Sequence, residues 1–357
     1  MNEKKIRVGV IGAGWWATAN HIPELKKRDD VELVAVCRLG KDLLQQIQQE
    51  WGFQFGTEDY RELLKQDLDA VVVSSPHYLH YEHTKAALES GRHVMIEKPM
   101  TLHPQEAWEL VDLAKRKNLT LMLPYGWNYK PFIQKTKQLM TEIGIGEIEY
   151  ALCHMASPLR DFLSGSGGLD EMPAEWKSLS APDPSTWQVK ANGGGYAHGQ
   201  ITHSSGLLFW LTPLRTKEVT ARMTYPRSRV DLYDAATVVF DNGAIGVVSG
   251  AATVPAGLDY QVDIRLFGRE GVLFIDVERE RAELQRYDGN NHVLDVPPGE
   301  GEYSCDGPPN RFIEVIQGRG RNDSPGDVGA RTVELIDAMF RSAEAGGQPV
   351  EAYRPAK

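Results

Sequence analysis

The first third of the chain alternates short apolar runs with segments of helical spacing. Strand-length apolar runs are predicted at Ile6–Ile11, Val31–Cys37, Ala70–Ser74, Val94–Ile96 and Leu119–Leu123. Helices are predicted between them, at Asp42–Trp51, Glu58–Leu64, Tyr81–Ser90 and Pro104–Lys117. Continuous apolar strands such as AVVV are typical of a parallel sheet covered on both faces. The order predicts an N-terminal Rossmann fold, α/β and doubly wound.

After Pro124 the pattern changes to longer strands in which apolar and polar positions alternate. They are predicted at Glu147–Met155, Glu218–Tyr225, Ala235–Asp241, Ala244–Ala252, Val262–Gly268, Gly271–Val277 and Ala282–Tyr287. The Asn-Gly pair in FDNGAIG is a strong hairpin signal between two of these strands. We therefore predict two domains, a nucleotide-binding domain over 1–124 and a substrate-binding and oligomerisation domain over 125–357. The second is α+β, built on a large, open, mostly antiparallel sheet.

Composition narrows the classes of function. A chain of 357 residues is long enough for two domains, and its formal net charge of −10 argues against a nucleic-acid surface. The three cysteines are far apart and form no metal-binding pattern, so no metal is expected and a cytoplasmic location is predicted. Neither a signal segment nor an apolar run long enough to cross a membrane stands out in the sequence.

A glycine turn opens the first predicted βαβ unit. In VGVIGAGWWA, Gly12, Gly14 and Ala17 form G-x-G-x-x-A directly after a strand. This pattern allows a tight turn, close approach of the backbone to a pyrophosphate and close helix packing. We predict dinucleotide contacts here from Gly12, Ala13, Gly14, Trp15 and Trp16. One of the two tryptophans is expected to face the nicotinamide or the substrate, and the other to pack on the helix side.

The residue that follows the second predicted strand bears on which dinucleotide is bound. An acidic side chain at this position binds the ribose 2′-hydroxyl of NAD, whereas an arginine can meet the 2′-phosphate of NADP. The chain has Arg38 there. The cofactor is therefore predicted to be NADP by preference, or NAD if Arg38 points to solvent.

Candidate chemistry follows another predicted strand, in HVMIEKPM. Lys98 lies at the carboxyl end of a parallel strand, where ligands bind in such sheets, and a partly desolvated lysine can transfer protons. Together with VGVIGAGWWA, SSPHYLH and GGGYAHGQITH, this segment resembles the glucose–fructose oxidoreductase/inositol dehydrogenase (Gfo/Idh/MocA) family. The resemblance is strong over the first 130 residues and rests mainly on architecture beyond them.

The resemblance implies roles for several residues of the first domain. Lys98 of the E-K-P motif would act at the substrate as a catalytic residue and, with Glu97, lie at the cofactor. The loop SSPHYLH would contact the cofactor through Ser75, Pro76, His77 and His80. His80 has a second interpretation, as a residue at a helix start that locks this loop.

The second-domain motif departs from the family pattern. Family members carry an aspartate four residues after the glycine triplet and a histidine four residues later. Here these positions hold Gly199 and His203. A Lys–Asp–His relay therefore cannot be assumed, but Lys98 and His203 remain as catalytic candidates, because a histidine that titrates near neutrality suits proton removal. His203 could instead be a capping or core residue of its helix. His198 is a candidate substrate contact beside the gap.

Aromatic and amide side chains elsewhere are candidates for the substrate pocket. The segment PYGWNYKP follows the last strand of the first domain, where family members line that pocket. We predict substrate contacts from Tyr125, Trp127 and Asn128, and from Trp187 before the glycine triplet. Each aromatic side chain could equally belong to the core.

These observations favour an NAD(P)-dependent dehydrogenase or reductase. The resemblance implies that it transfers a hydride between the nicotinamide and a hydroxyl- or keto-bearing carbon of a sugar, cyclitol or related polyol, as members of that family mostly do. Two alternatives remain, a redox-assisted glycosidase with tightly bound NAD(P) and a non-catalytic cofactor-sensing relative. The expected assembly is a homodimer or homotetramer through the C-terminal sheet, because a broad apolar sheet face needs cover. No nucleic-acid or membrane partner is expected.

Overall fold

The computed structural model describes residues 4–167, 178–255, 258 and 260–355. The chain forms two compact units. The first contains the described residues of Met1–Pro124, Leu169–Thr186 and Cys305–Ala330, and the second those of Tyr125–Gly168, Trp187–Ser304 and Arg331–Lys357. The division into folding domains at residue 124 stays a prediction.

The first unit contains a six-stranded sheet in which every neighbouring pair is parallel. Its order is β3-β2-β1-β4-β5-β6. The strands are β1 Ile6–Ile11, β2 Val31–Cys37, β3 Phe55–Thr57, β4 Ala70–Val73, β5 His93–Ile96 and β6 Leu121–Met122. All four residues of β4 are buried, as its continuous apolar sequence predicts. The predicted Rossmann sheet is confirmed.

The strand register brings the candidate residues of this unit to one edge. Ile11 pairs with Cys37 and with Val73, and Val73 pairs with Ile96. The segments after β1, β2, β4 and β5 therefore leave the sheet side by side. These are the segments that begin with Gly12, Arg38, Ser74 and Glu97.

The second unit contains a nine-stranded sheet of order β14-β13-β12-β11-β7-β10-β9-β8-β15. Its strands are β7 Ile148–Ala156, β8 Thr216–Thr224, β9 Tyr233–Phe240, β10 Ile245–Ala251, β11 Gln261–Gly268, β12 Gly271–Asp276, β13 Arg281–Arg286, β14 His292–Val293 and β15 Val350–Glu351. Only β7 and β10 among these paired strands run parallel, so the sheet is mostly antiparallel, as predicted. Asn242 and Gly243 make the predicted turn between β9 and β10, with Gly243 at φ 86°.

The α-helices differ most from the prediction. They are α1 Ile22–Lys26, α2 Lys41–Trp51, α3 Tyr60–Leu64, α4 His80–Glu89, α5 Pro104–Arg116, α6 Pro131–Glu142, α7 Arg160–Ser164, α8 Pro184–Trp187, α9 Thr202–Leu211, α10 Gly307–Ile316 and α11 Gly326–Glu344. The sequence analysis did not predict α6, α7, α8 or α10. Two π-helical segments, Ala17–His21 and Ala197–Ile201, precede α1 and α9.

Every residue of α9 is buried, which fits a helix that is apolar on all sides and packs against β7 and β11. Within the described ranges, no helix combines the length and the apolar character that a membrane crossing requires.

Candidate functional site

The glycine turn is packed on one side and open on the other. Gly12 has φ 87°, and a Cβ atom there would collide with the backbone of Ser75, so only glycine fits. At Gly14 a Cβ atom would meet nothing nearer than the carbonyl oxygen of Gly12, at 4.0 Å. The backbone amides of Gly12 and Ala13 both donate to the carbonyl of Cys37. A turn that is anchored to Cys37 on one side and open beside Gly14 on the other fits the pyrophosphate of a dinucleotide.

Arg38 lies beside this turn. Its Nη1 donates to the carbonyl of Ala13 over 3.3 Å, and its Nε donates to the carbonyl of Leu39 over 3.0 Å. Partial burial lowers the pKa of the Arg38 guanidinium from its usual value, but arginine stays charged at neutral pH. The neighbouring thiol of Cys37 is neutral because burial raises its pKa to about 12. A single positive charge therefore lies against the dinucleotide turn.

The loop that begins at Ser75 is held by the ring of His80. Nδ1 of His80 lies 2.7 Å from the carbonyl oxygen of Pro99, and Nε2 lies 2.8 Å from that of Ser75. Burial lowers the pKa of His80, which is fully buried. These contacts agree with the interpretation in which His80 locks the loop. His77 is also buried, and its ring packs edge-on against that of His80.

Lys98 is a buried lysine at the end of β5, only 6% exposed. Burial lowers the pKa of its amine, while the carboxylate of Glu97 acts in the opposite direction. The Nζ atom lies 5.9 Å from the centroid of the Trp16 ring. Trp15 is the more buried of the two tryptophans, so Trp16 is the one that faces the lysine. An amine whose pKa is lowered in this way is suited to proton transfer.

Sequence reasoning missed His21, which lies directly beside Glu97. The two buried side chains meet with 2.5 Å between Nε2 of His21 and Oε1 of Glu97. The available signal was a histidine inside the otherwise apolar helical start ANHIPEL. Local periodicity does not show that this histidine would reach Glu97, the residue that follows β5.

In the second unit, aromatic rings surround His203. The ring of this buried histidine on α9 lies edge-on to those of Tyr125, Trp127 and Tyr303, with centroid distances of 6.0, 5.6 and 5.6 Å. Tyr260 adds a further ring, 6.2 Å from that of Trp127. The structure thus brings together three predicted residues, Tyr125, Trp127 and His203. Tyr260 and Tyr303 were not predicted, because they come from distant segments without a recognisable motif.

Tyr125 is held by its hydroxyl group and by its ring. The hydroxyl lies 3.0 Å from that of Thr332 and 3.3 Å from that of Thr202, and the ring fills the space that a side chain at Gly206 would need. Tyr125 is 1% exposed and the nearby Asn128 is fully buried. Tyr125 therefore forms part of the wall around His203, whereas for Asn128 the structure shows burial.

The position of the missing family aspartate faces a tryptophan. A Cβ atom added to Gly199 would lie 3.4 Å from Cζ3 of Trp187. The ring of Trp187 also packs against that of Phe162, with centroids 5.7 Å apart. An indole thus covers Gly199. His198, the other predicted residue beside the gap, stacks on the ring of Phe340 at 4.8 Å.

Two buried carboxyl groups lie beneath the glycine triplet. Asp231 accepts a hydrogen bond from the backbone amide of Ala197 over 2.7 Å and fills the space beside Gly195. Burial raises the pKa of Asp231, and burial together with the charge of Asp231 raises the pKa of Asp234 further. Two adjacent carboxylates in an apolar interior retain a proton between them. No group of three or more metal-ligating side chains occurs in the part of the chain that the structure describes.

Sequence profiles match both units. A profile described as "Oxidoreductase family, NAD-binding Rossmann fold" matches residues 6–125, and one described as "GFO/IDH/MocA C-terminal domain" matches residues 133–274. D-glucoside 3-dehydrogenase of Escherichia coli is 36% identical over 149 residues, which are 42% of this chain and 42% of that protein. The chain therefore spans less than half the length of that relative.

Two longer matches agree with these profiles. Myo-inositol 2-dehydrogenase of Thermotoga maritima is 24% identical over 282 residues, 77% of this chain and 76% of that protein. The structure of levoglucosan dehydrogenase in complex with NADH and L-sorbose superimposes with a TM-score of 0.78, at 20% identity, over 99% of this chain and 100% of that one. The structural likeness confirms the fold. With both of its profiles matched, the chain belongs to the Gfo/Idh/MocA oxidoreductase family.

Proposed function

We propose that the protein is an NAD(P)-dependent oxidoreductase that acts on a hydroxyl- or keto-bearing carbon of a sugar, cyclitol or related polyol. The observation that carries the proposal is Lys98, a buried lysine with a lowered pKa at the sheet edge that also presents the dinucleotide turn. The named activities of the glucoside, inositol and levoglucosan dehydrogenases support the substrate class. Fold alone would not, since one fold serves many reactions.

In the proposed reaction, the bound nicotinamide supplies the hydride chemistry. Gly12, Ala13 and Gly14 would hold the pyrophosphate, and Trp16 is proposed to lie near the nicotinamide because its ring lies close to Lys98. Oxidation of a secondary alcohol requires a group that removes the hydroxyl proton, and we assign that role to a neutral Lys98. Burial keeps the amine easier to deprotonate than an exposed lysine.

His203 is proposed as a substrate-binding and catalytic group of the second unit. Its aromatic surroundings hold the ring in one orientation and exclude water, which strengthens any hydrogen bond that it makes to a substrate oxygen. Trp127 and Trp187 offer flat faces of the kind that pack on sugar rings, and Tyr125 and Asn128 support them. His198 is a more distant candidate for substrate contact, since its ring is already stacked on Phe340.

We further propose NADP as the preferred cofactor. Arg38 places a guanidinium beside the dinucleotide turn, where the fold brings the adenosine ribose, and a guanidinium pairs well with a phosphate. NAD is the expected cofactor if this side chain does not contact the ribose. Among similar proteins of known structure, GenD2 was solved in complex with NAD and levoglucosan dehydrogenase in complex with NADH.

The assembly proposed is a homodimer or homotetramer through the nine-stranded sheet. On the face of the sheet away from α9, neighbouring strands place Ile245 and Phe267 beside Tyr150. Ile245 is 55% exposed and Phe267 is 36% exposed. An apolar sheet face of this kind is a typical site for self-association. Light scattering of the wild type and of Phe267→Glu tests it, since a charge at the centre should dissociate the oligomer.

A cytoplasmic location is also proposed. It is supported by the buried thiols of Cys37 and Cys153, which suit a reducing compartment.

The experiment that tests the function is a substrate panel with the purified protein. NADP⁺ or NAD⁺ is mixed with methyl glucosides, levoglucosan, myo-inositol and related polyols, and the absorbance of the reduced nicotinamide is followed. The proposal expects reduction with at least one of them. Release of an aglycone from a glycoside without net nicotinamide reduction, by protein that already carries a nucleotide, would establish the redox-assisted glycosidase instead. Nucleotide binding without any turnover would favour the cofactor-sensing alternative.

A further inference from the structure

Lys98 lies between two residues that are held by histidines. On one side, Glu97 meets His21, with 2.5 Å between Oε1 and Nε2. On the other, the carbonyl oxygen of Pro99 lies 2.7 Å from Nδ1 of His80. The side chains of Glu97, His21, His80 and Lys98 are all buried. The backbone around the lysine is therefore tied to two separate elements of the first unit.

The Glu97 carboxylate uses its second oxygen on the lysine itself. Oε2 of Glu97 accepts a hydrogen bond from the backbone amide of Lys98 over 3.0 Å. The carboxylate thus bridges the imidazole of His21 and the main chain of Lys98. If the carboxylate rotated, both hydrogen bonds would be lost together.

His21 has one hydrogen-bonding task within the described residues. Its Nδ1 atom is buried and without a hydrogen-bond partner there, while Nε2 contacts Glu97. Burial alone would raise the pKa of Glu97, but the hydrogen bond and charge of His21 hold it below its usual value. Glu97 is therefore ionised at neutral pH, and an ionised buried carboxylate is held firmly by its donors.

The same segment contacts Lys98 a second time. His21 ends the π-helical segment Ala17–His21, and Trp16, directly before it, packs its ring below Nζ of Lys98 at 5.9 Å. The glycine turn immediately precedes this segment. The main chain of Lys98 is thus linked to the segment after the dinucleotide turn through Glu97 and His21, and its amine lies near Trp16 of the same segment.

We propose that His21 is a positioning residue for Lys98, which acts through the Glu97 carboxylate and ties the lysine to the segment after the dinucleotide turn. The inference rests on the proposed catalytic role of Lys98. It predicts that loss of the Nε2 donor frees Glu97, releases the Lys98 amide and misplaces the amine, because His21 acts on the lysine only through Glu97.

The test replaces the donor and restores it. His21→Met removes the donor at similar volume, and His21→Gln keeps an N–H donor at similar reach. His93→Gln is the matched control, since Nδ1 of His93 in the same unit accepts only from the backbone amide of Thr120, over 3.0 Å, among the hydrogen bonds described. Should His21→Met not fold, His21→Ala takes its place. Each variant is measured by hydrogen exchange at the Lys98 amide, by nucleotide affinity and by kcat and KM.

The expected result is a selective one. In His21→Met the Lys98 amide exchanges faster, and kcat falls about 10- to 100-fold while KM and nucleotide affinity stay within about threefold, because the lysine is present but misplaced. His21→Gln recovers most of both losses, and His93→Gln shows neither. Unchanged exchange in His21→Met overturns the link from His21 through Glu97, and faster exchange with unchanged kcat overturns the positioning role.

The exchange measurement separates this inference from the proposed function. It needs no substrate, so it decides the link to Glu97 even if no polyol is oxidised. A wild-type protein that shows no turnover with any substrate would refute the catalytic part and leave the exchange result as the test of the structural link.

Discussion

The indole of Trp187 covers Gly199, the position at which the family pattern has an aspartate. A Cβ atom at Gly199 would lie 3.4 Å from Cζ3 of Trp187, which is ordinary van der Waals contact. There is thus room for a methyl group, but a carboxylate would extend toward the ring. The departure from the family pattern at residue 199 and the presence of a tryptophan at 187 are two parts of one packing arrangement.

Restoring the aspartate should therefore fail. Gly199→Asp would place a charge against the indole and cost about 1–3 kcal/mol of stability through incomplete solvation. Gly199→Ala serves as the control and should be neutral or more stable by about 0.5–1 kcal/mol, because glycine is unfavourable within a helix. Thermal unfolding of both variants checks this. An aspartate variant as stable as the alanine variant, or with higher kcat than the wild type, would contradict the account.

The Arg38 side chain should decide nucleotide preference. Arg38→Ala removes the guanidinium that lies at the turn, and the loss of a charge-assisted contact should weaken NADPH binding about 10- to 100-fold. NADH affinity should change little, since NADH lacks the 2′-phosphate. Nicotinamide fluorescence titrations measure both. Arg61→Ala, which alters an exposed arginine of the same unit, is the control. Equal losses for NADPH and NADH would refute a contact to the 2′-phosphate.

The buried carboxyl pair should make stability depend on pH. The pKa values of Asp231 and Asp234 are raised in the folded protein, so the unfolded chain gives up these protons at lower pH. Their contribution is fully present below the unfolded value, about pH 4, and is lost as the pH rises through the folded values. Asp234→Asn removes the charge, so it should gain stability relative to the wild type between about pH 5 and 8.

Chemical denaturation at several pH values measures that difference. Asp288→Asn is a suitable control, because Asp288 is exposed and its pKa is lowered by hydrogen bonds from Arg286, so its contribution has the opposite sign. A difference between Asp234→Asn and the wild type that does not grow with pH would show that the pair carries no retained proton.

The sequence was informative where a local pattern has a single structural meaning. The glycine turn after β1, the buried run of β4 and the Asn242–Gly243 hairpin all follow from short-range sterics and strand burial, and the structure has all three. Helix α6 was missed although Pro131 begins it and Phe132 and Ile133 are buried. Its buried stripe consists of Phe132, Ile133 and Thr136, which is too short to give a clear helical period.

The sequence could not predict contacts that depend on tertiary placement. The meeting of His21 with Glu97 joins residues 76 positions apart, and the ring cluster at His203 includes Tyr303 from a segment with no motif. Neither contact leaves a periodic trace. His80 had two interpretations from its sequence position. The carbonyl contacts of the folded chain agree with the loop-locking one, and a cofactor contact stays a prediction.

The most direct test of the central claim compares kcat of the wild type with that of Lys98→Met over about pH 6–10, a range that lies below the usual lysine pKa. With a neutral amine as proton acceptor, kcat for alcohol oxidation should rise with pH and level off below the usual lysine pKa of 10.5, since burial lowers that of Lys98. The kcat of Lys98→Met should be about 10²- to 10⁴-fold lower, and its rise with pH should be absent. Lys85→Met, which changes a half-exposed lysine that is paired with Glu109, should keep both. A Lys98→Met protein that binds nucleotide and retains the wild-type rate and pH profile would contradict the account.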